Sequence, residues 1–232
     1  MTATGNLSFD ALKDFFLKNK GKNVFVEHEV KGLLKNMGLP VPKGIFIPKD
    51  VDLSAFIQSL AVTYPLAVKV SSAKITSKSD VKGVRLGINN EDELNKAVSE
   101  LMMIDNAEGV LVEEMASKGL EVIVGGVVDR QFGPIVMFGL GGVFVELFKD
   151  VAFGLAPLDR DNAFWLIKQV KGYKLLEGYR GSPSVDIDAL ADIIIAVSEI
   201  TATNMIKEID LNPVALYPQG AMILDAKMEM TG

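Results

Sequence analysis

The segment IKEIDLNPV, residues 206–214, concentrates the oxygen chemistry of this chain. Glu208, Asp210 and Asn212 alternate with Ile209 and Leu211. In an extended segment successive side chains point to opposite faces, so the three oxygen-bearing groups share one face and the apolar pair takes the other. Two carboxylates and an amide oxygen suit Mg²⁺, a hard cation that fills its remaining positions with water or substrate phosphates. The plainer reading is a half-buried edge strand with a polar outer face. Carboxylates side by side repel unless a cation lies between them, which weighs against that reading. Pro213 is expected to end the run.

A second charge stands where charge is costly. Lys69 is the one charged residue in YPLAVKVSS, a predicted buried strand. Its ammonium must snorkel to solvent or meet an anion. The following link, SSAKITSKSDVKG, spaces Lys74, Lys78 and Lys82 four apart, as either a solvated loop or a mobile basic loop that meets phosphate groups. From Glu121 to Asp150 two apolar runs flank the polar turn Asp129–Gln131 and predict a hairpin. Gly139, Gly141 and Gly142 follow, then VFVELFKD with Glu146 and Asp150. Such glycines either bring backbone N–H groups close to a phosphate or mark tight turns in a packed sheet. His28, the single histidine, lies between Glu27 and Glu29 and is expected to be solvated.

The elements that must hold these groups alternate. Helices are expected over 9–18, 26–38, 50–60, 91–103, 159–173 and 187–201. Strands are expected over 45–47, 64–72, 84–88, 109–115, the hairpin, 151–158, and a closing antiparallel pair around a turn at Pro218–Gly220. Trp165 is expected in the core. This pattern is α/β or α+β. The 232 residues suffice for one large domain or two lobes. A net charge of −6 argues against general nucleic-acid binding. No apolar run is long enough to span a bilayer, so no membrane partner is expected. The absence of cysteine removes disulfides and thiolate sites, and the start MTATGNLSFDALKDFF lacks a secretory pattern, so a cytoplasmic protein is expected.

Taken together, Lys69 in AVKVSS, GVLVEEM, the GLEVIVG and FGPIVMFGLGGVFVE runs, YRG at Tyr179–Gly181, and EIDLNP resemble an ATP-grasp domain. More closely, residues 24–228 are similar to the β subunit, or β domain, of ADP-forming acyl-CoA (acetate–CoA) synthetases, relatives of succinyl-CoA synthetase. The resemblance implies two lobes, 1–112 and 113–232, with ATP or ADP and Mg²⁺ in the cleft between them. It implies Lys69 on the nucleotide phosphates, and Glu113, Glu114 and Met115 at the hinge whose backbone reads adenine. Glu121 would lie near the ribose and phosphates, and Glu208, Asp210 and Asn212 would hold the metal. A phosphoryl group would pass between the nucleotide and a histidine on a separate α subunit, which also carries the CoA and acyl sites, in a hetero-oligomer. Such catalysis is mostly positioning and charge neutralisation.

Two departures from the family pattern bear on activity. The family's loop reads close to IIHKSD, with a histidine proposed as a second phosphoryl carrier; here it reads ITSKSD, with Ser77 at that position. The strand after the glycines tends to read AFR; here it reads AFG, so Gly154 stands for an arginine expected to face the phosphates. Either transfer proceeds without the relay, or the chain is a non-catalytic nucleotide-sensing or scaffolding subunit. A third possibility is an ATP-grasp ligase that forms an acyl phosphate directly on another acid.

Overall fold

The computed structural model describes residues 9–51, 62–142 and 147–231. Glu146 and all but the first two residues of the helix expected over 50–60 lie outside the described residues. Strands and helices otherwise follow the apolar periodicity closely. The chain forms two compact units: residues 1–25, 29–41 and 118–232 make the larger, and residues 26–28 and 42–117 the smaller.

The smaller unit is built on a four-stranded antiparallel sheet. Its strands are β2 (Gly44–Pro48), β3 (Leu66–Ser71), β4 (Val84–Ile88) and β5 (Gly109–Glu114), in the order β2-β5-β3-β4. Helix α3 (Glu91–Met102) supplies Leu94, Ala97, Val98 and Leu101 to a core with Leu66, Val68, Val110 and Val112. Asn90 caps α3 by accepting the Glu93 N–H at 2.9 Å, as its position before a Glu-rich first turn predicts. With Leu66 and Val68 committed to this core, Ala67, Lys69 and Ser71 take the opposite face of the sheet.

The larger unit carries a seven-stranded antiparallel sheet of order β1-β11-β9-β6-β7-β8, with β10 also on β9. The strands are β1 (Val24–Phe25), β6 (Leu120–Asp129), β7 (Gly133–Leu140), β8 (Val151–Leu155), β9 (Ile206–Leu216), β10 (Ala221–Ile223) and β11 (Lys227–Met230). The apolar helix α6 (Ile187–Ala202) joins α1 (Phe9–Lys18) and most of α2 (Glu27–Asn36) in one core with Val122, Val124, Ile209 and Leu211. The leading helices thus group with the carboxyl-terminal half, and the break falls after Ser117, whereas the expected division was at 112/113. Leu12, Phe16, Val30, Leu33 and Leu34 supply the reason, because their burial is in the core of the larger sheet.

Three local differences have plain causes. The helix expected over 159–173 stops as α4 (Arg160–Ile167) and resumes as the single turn α5 (Tyr173–Leu176). Between them the N–H groups of Lys171 and Gly172 donate to the buried Asp150 carboxylate at 2.7 and 2.8 Å instead of continuing the helix. Trp165 is largely exposed on α4, while Leu166 and Ile167 take the core positions expected of it. Pro213 does not end β9. Val122 pairs with Val214 and Val124 with Leu211, so β9 carries one extra residue and passes the proline in a bulge.

The entry to α4 is fixed by one buried contact: Ser198 on α6 accepts the Leu158 N–H at 2.5 Å. Replacing Ser198 with Ala leaves that donor unsatisfied, which costs about 1–3 kcal/mol. A fall of several degrees in melting temperature is expected. An unchanged melting temperature would show that the contact contributes nothing.

Candidate functional site

Lys69 meets anions rather than snorkelling out. It is buried on the inner strand β3, where its ammonium lies 2.6 Å from Glu27 Oε1 and 2.9 Å from Glu113 Oε2. Antiparallel pairing sets Lys69 opposite Leu111, so Glu113 is the diagonal neighbour two residues on, within reach of a long side chain. Glu27 arrives from the first position of α2 and is also buried. Its other oxygen, Oε2, lies 2.9 Å from the ammonium of Lys78, on the basic loop. Two lysines and two glutamates therefore meet at one buried site. Buried ions persist only when paired in this way, because each alone would bear a desolvation penalty of several kcal/mol.

Lys78 turns inward on that loop, while Lys74 and Lys82 remain exposed. Ser77, half-buried beside Lys78, accepts the Asp80 N–H at 3.4 Å and so shapes the turn. Gly83 closes the loop. Its N–H donates to the Lys78 carbonyl at 2.6 Å, and a Cβ there would collide with Val70. His28, expected in solvent, is instead half-buried, with its ring stacked on Phe46 at 3.9 Å and 7°. Its Nδ1 lies 3.2 Å from Ser71 Oγ. At the end of β5 the Glu114 N–H donates to Lys43 O and the Met115 N–H to Pro65 O, so both of these backbone donors are already engaged.

In the larger unit the alternation predicted for β9 is present. Glu208, Asp210 and Asn212 are exposed, and Ile209 and Leu211 are buried. Asp210 pairs with Gly125 on β6 and with Lys227 on β11, and Glu208 pairs with Val127 and Glu229. The bulge then follows, with Asn212 within it, and the Asn212 N–H donates to Asp225 O at 3.3 Å. Glu121 lies on the same face, two alternations along β6 from Gly125. Gly139 sits inside β7, and the Gly141 N–H donates to the Glu121 carbonyl at 2.8 Å. A Cβ at Gly141 would press on the Glu121 backbone, so a close approach between chain segments requires this glycine. Gly142, at φ +61°, makes the left-handed turn that follows.

The same registers correct the expectation for Gly154. Phe153 pairs with Met137 and Met137 with Gly125, so Phe153 shares the Asp210 face and residue 154 points to the other. A Cβ at 154 would meet Leu158 and Leu166, not a phosphate. The exchange of arginine for glycine there removes nothing from the oxygen-bearing face.

Electrostatically, the Asp210 carboxyl is pushed above its ordinary value. Desolvation is the first cause, followed by the Asp225 carboxylate; Lys227 opposes the shift and Glu208 adds to it. Asp210 nevertheless keeps exposed surface, so solvent screening tempers the effect. Sequence reasoning missed Asp225, Lys227 and Glu27, and it did not single out Lys78 among the three lysines of its loop. A buried lysine demanded a counter-anion, but which carboxylate supplied it depended on long-range pairing. Among the described residues no three His, Cys, Asp or Glu side chains gather into a metal cage. Mg²⁺ bound together with phosphates needs only one or two carboxylates, and the β9 row with Asp225 nearby fits that requirement.

The sequence model of the ATP-grasp domain family matches residues 17–230. The β subunit of acetate–CoA ligase [ADP-forming] I from Pyrococcus furiosus is 40% identical over 227 residues, covering 93% of this chain and 96% of that one. The chain belongs to the ATP-grasp family, among the β subunits of ADP-forming acetate–CoA ligases. Acetate–CoA ligase [ADP-forming] II of Archaeoglobus fulgidus is 43% identical over 205 residues, which span 88% of this chain but 30% of that longer protein. Acetyl-coenzyme A synthetase 1 of Ca. Korarchaeum cryptofilum, solved with coenzyme A and Mg-AMPPCP and with its phosphohistidine segment pointing towards the nucleotide binding site, superposes with a TM-score of 0.78 at 42% identity. That match covers 94% of this chain and 99% of the other. Among the described residues no helix is long and apolar enough to cross a membrane.

The raised Asp210 carboxyl gives a signed prediction. The folded chain holds this proton to higher pH than the unfolded chain, whose value is near 3.8, so stability falls as pH rises through that window. Ionised Asp210 is therefore a net cost at neutral pH. Asp210→Asn should raise the melting temperature slightly at pH 7, and the gain should vanish below about pH 3.8. Assayed together with an α subunit, the same variant should lose Mg²⁺-dependent phosphoryl transfer from nucleotide. A lower melting temperature at pH 7, or full transfer, would contradict the assignment.

Proposed function

We propose that this chain is the nucleotide-binding β subunit of an ADP-forming acyl-CoA synthetase. The overall reaction is acid + CoA + ATP = acyl-CoA + ADP + phosphate. The observation that carries the reading is the exposed oxygen row Glu208–Asp210–Asn212, in a chain that matches nearly the whole length of a Pyrococcus β subunit.

The chain's own residues bind and orient. Lys69 and Lys78 offer two ammonium groups to phosphate oxygens, and the loop around Ser77 shapes their surroundings. Backbone groups about Glu113–Met115 meet the adenine edge, and Glu121 lies towards the ribose and phosphates. Gly139, Gly141 and Gly142 set the turn beside Glu121. Glu208, Asp210 and Asn212 would hold Mg²⁺, which when bound neutralises phosphate charge and fixes the nucleotide's geometry. In the step assigned to this subunit, a nitrogen of the α subunit's histidine bonds to the γ-phosphorus. The bond from that phosphorus to the β–γ bridging oxygen breaks, and ADP leaves. CoA and the acyl group belong to the α subunit, so the β chain alone binds nucleotide without completing the reaction. Ser77 lacks a ring nitrogen, so it cannot act as a phosphohistidine relay. Transfer then runs directly between nucleotide and partner.

A non-catalytic sensing subunit is the rival reading, and it loses one of its two supports with the orientation of residue 154. Labelled ATP and Mg²⁺ mixed with the chain and an α subunit should label the α subunit only when both chains are present. Ser77→His should leave that rate within about threefold, a difference under 1 kcal/mol. Bound nucleotide with no label transferred would favour the sensing role. A tenfold gain from Ser77→His would show that a relay had been lost.

A further inference from the structure

We propose that an apolar strip beside the β9 row seats the histidine-bearing segment of the α subunit. Phe153 and Leu155 on β8 hold it, together with Val127, Ile135 and Met137. This inference rests on the phosphoryl-transfer reading above and names the surface that receives the partner.

Strand register lays the strip out. Glu208 pairs with Val127, Val127 with Ile135 and Ile135 with Leu155. One row along, Asp210 pairs with Gly125, Gly125 with Met137 and Met137 with Phe153. Residues directly opposite each other share a face, so each row crosses the open face of the larger sheet from a carboxylate on β9 to a large apolar side chain on β8. Neighbouring strands lie about 4.8 Å apart, so three ladders separate the two ends by about 14 Å. Val127 is 39% exposed, Phe153 59% and Leu155 63%, and Ile135 and Met137 are half-buried. On the opposite face of these strands Val136, Phe138 and Ala152 are buried in the core. A single exposed apolar residue needs no explanation, but five in register on one face form a patch that marks an interaction surface.

The occupant follows from the reaction and from what lies on either side of the row. A histidine nitrogen that bonds to the γ-phosphorus must approach phosphate held at Glu208, Asp210 and Asn212. Part of the α subunit must therefore lie on this face. On the β11 side, Lys227 and Glu229 stand opposite Asp210 and Glu208. A partner packed there would have to strip water from charged groups, which is costly. On the β7–β8 side the two rows hold only apolar side chains and Gly125, so contact there releases water favourably. β8 is also the last strand of the sheet, so a segment arriving over its edge reaches the row along the strip. The segment that fits carries apolar side chains beside its histidine, spread over about the 14 Å between β8 and β9.

The test combines the whole chain with an α subunit and labelled Mg-ATP. In the double variant Phe153→Ser, Leu155→Ser, the α concentration that gives half-maximal labelling should rise about tenfold, as when apolar anchors of an interface are truncated. The rate at saturating α should stay within about threefold, and the Mg-ADP affinity of the chain alone within about twofold, because neither side chain touches the nucleotide. Trp165→Ser is the control. Trp165 is 56% exposed but stands on α4, whose Leu166 packs on the other face of the sheet, so its loss should leave the half-maximal concentration unchanged. An unchanged concentration in the folded double variant, an equal rise in Trp165→Ser, or a loss of Mg-ADP affinity would each overturn the proposal. So would a dimer of the wild-type chain that the double variant abolishes while labelling is unaffected, since the strip would then join two copies. If the wild-type chain labels no α subunit, the phosphoryl-transfer reading itself fails. Normal wild-type labelling with an unaffected double variant overturns only the role of the strip.

Discussion

An ammonium group inside a sheet must have its charge answered, and much of the smaller unit is arranged around that requirement. Lys69 lies on the inner strand β3 with its side chain almost wholly buried. Glu113 from the neighbouring strand and Glu27 from the start of α2 answer its charge, and Glu27 pairs with Lys78 as well. The apolar face of the same sheet, packed on α3, supplies the stability that tolerates such a cluster. Replacing a buried ion group by apolar residues is often neutral or stabilising, so stability alone does not explain its presence. The phosphate-binding role proposed for the two cations supplies a reason.

The larger sheet divides its labour by face in the same way. Val122, Val124, Ile209 and Leu211 pack on α6 and the leading helices, while Glu208, Asp210 and Asn212 stay open. The bulge at Asn212 and Pro213 lets one strand serve both β11 and β10, and it brings the Asp225 backbone to Asn212. Crowding of carboxylates around Asp210, offset in part by Lys227, is a cost in folding and an advantage for a cation. Glycine at position 125 leaves no side chain opposite Asp210 on the β6 side.

Much of this was legible in the sequence because the signals were local. The helices over 9–18, 91–103 and 187–201, the hairpin, and the alternating polarity of β9 follow from periodicity and capping. The oxygen row was read from spacing alone, and the burial of Lys69 from its apolar neighbours. What escaped was long-range. Residues 24–25 form a two-residue strand only because β11 lies beside them. Asp150 ends a helix more than ten residues away, by capturing the N–H groups of Lys171 and Gly172. Nothing local marked Glu27 or Glu113 as a partner of Lys69, because strand pairing and helix packing bring them there. His28 looked solvated for the same reason, since its partners Phe46 and Ser71 are distant in the chain. The facing of residue 154 depended on strand register across three ladders.

In the proposed function the β9 row holds a divalent cation together with a nucleotide rather than as a cage of its own. Titration of Mn²⁺, followed by its electron paramagnetic resonance with and without ADP, tests this most directly. Because the row offers so few carboxylates, tight Mn²⁺ binding should appear only when ADP is present. Equal binding without ADP, or no binding with it, would contradict the account.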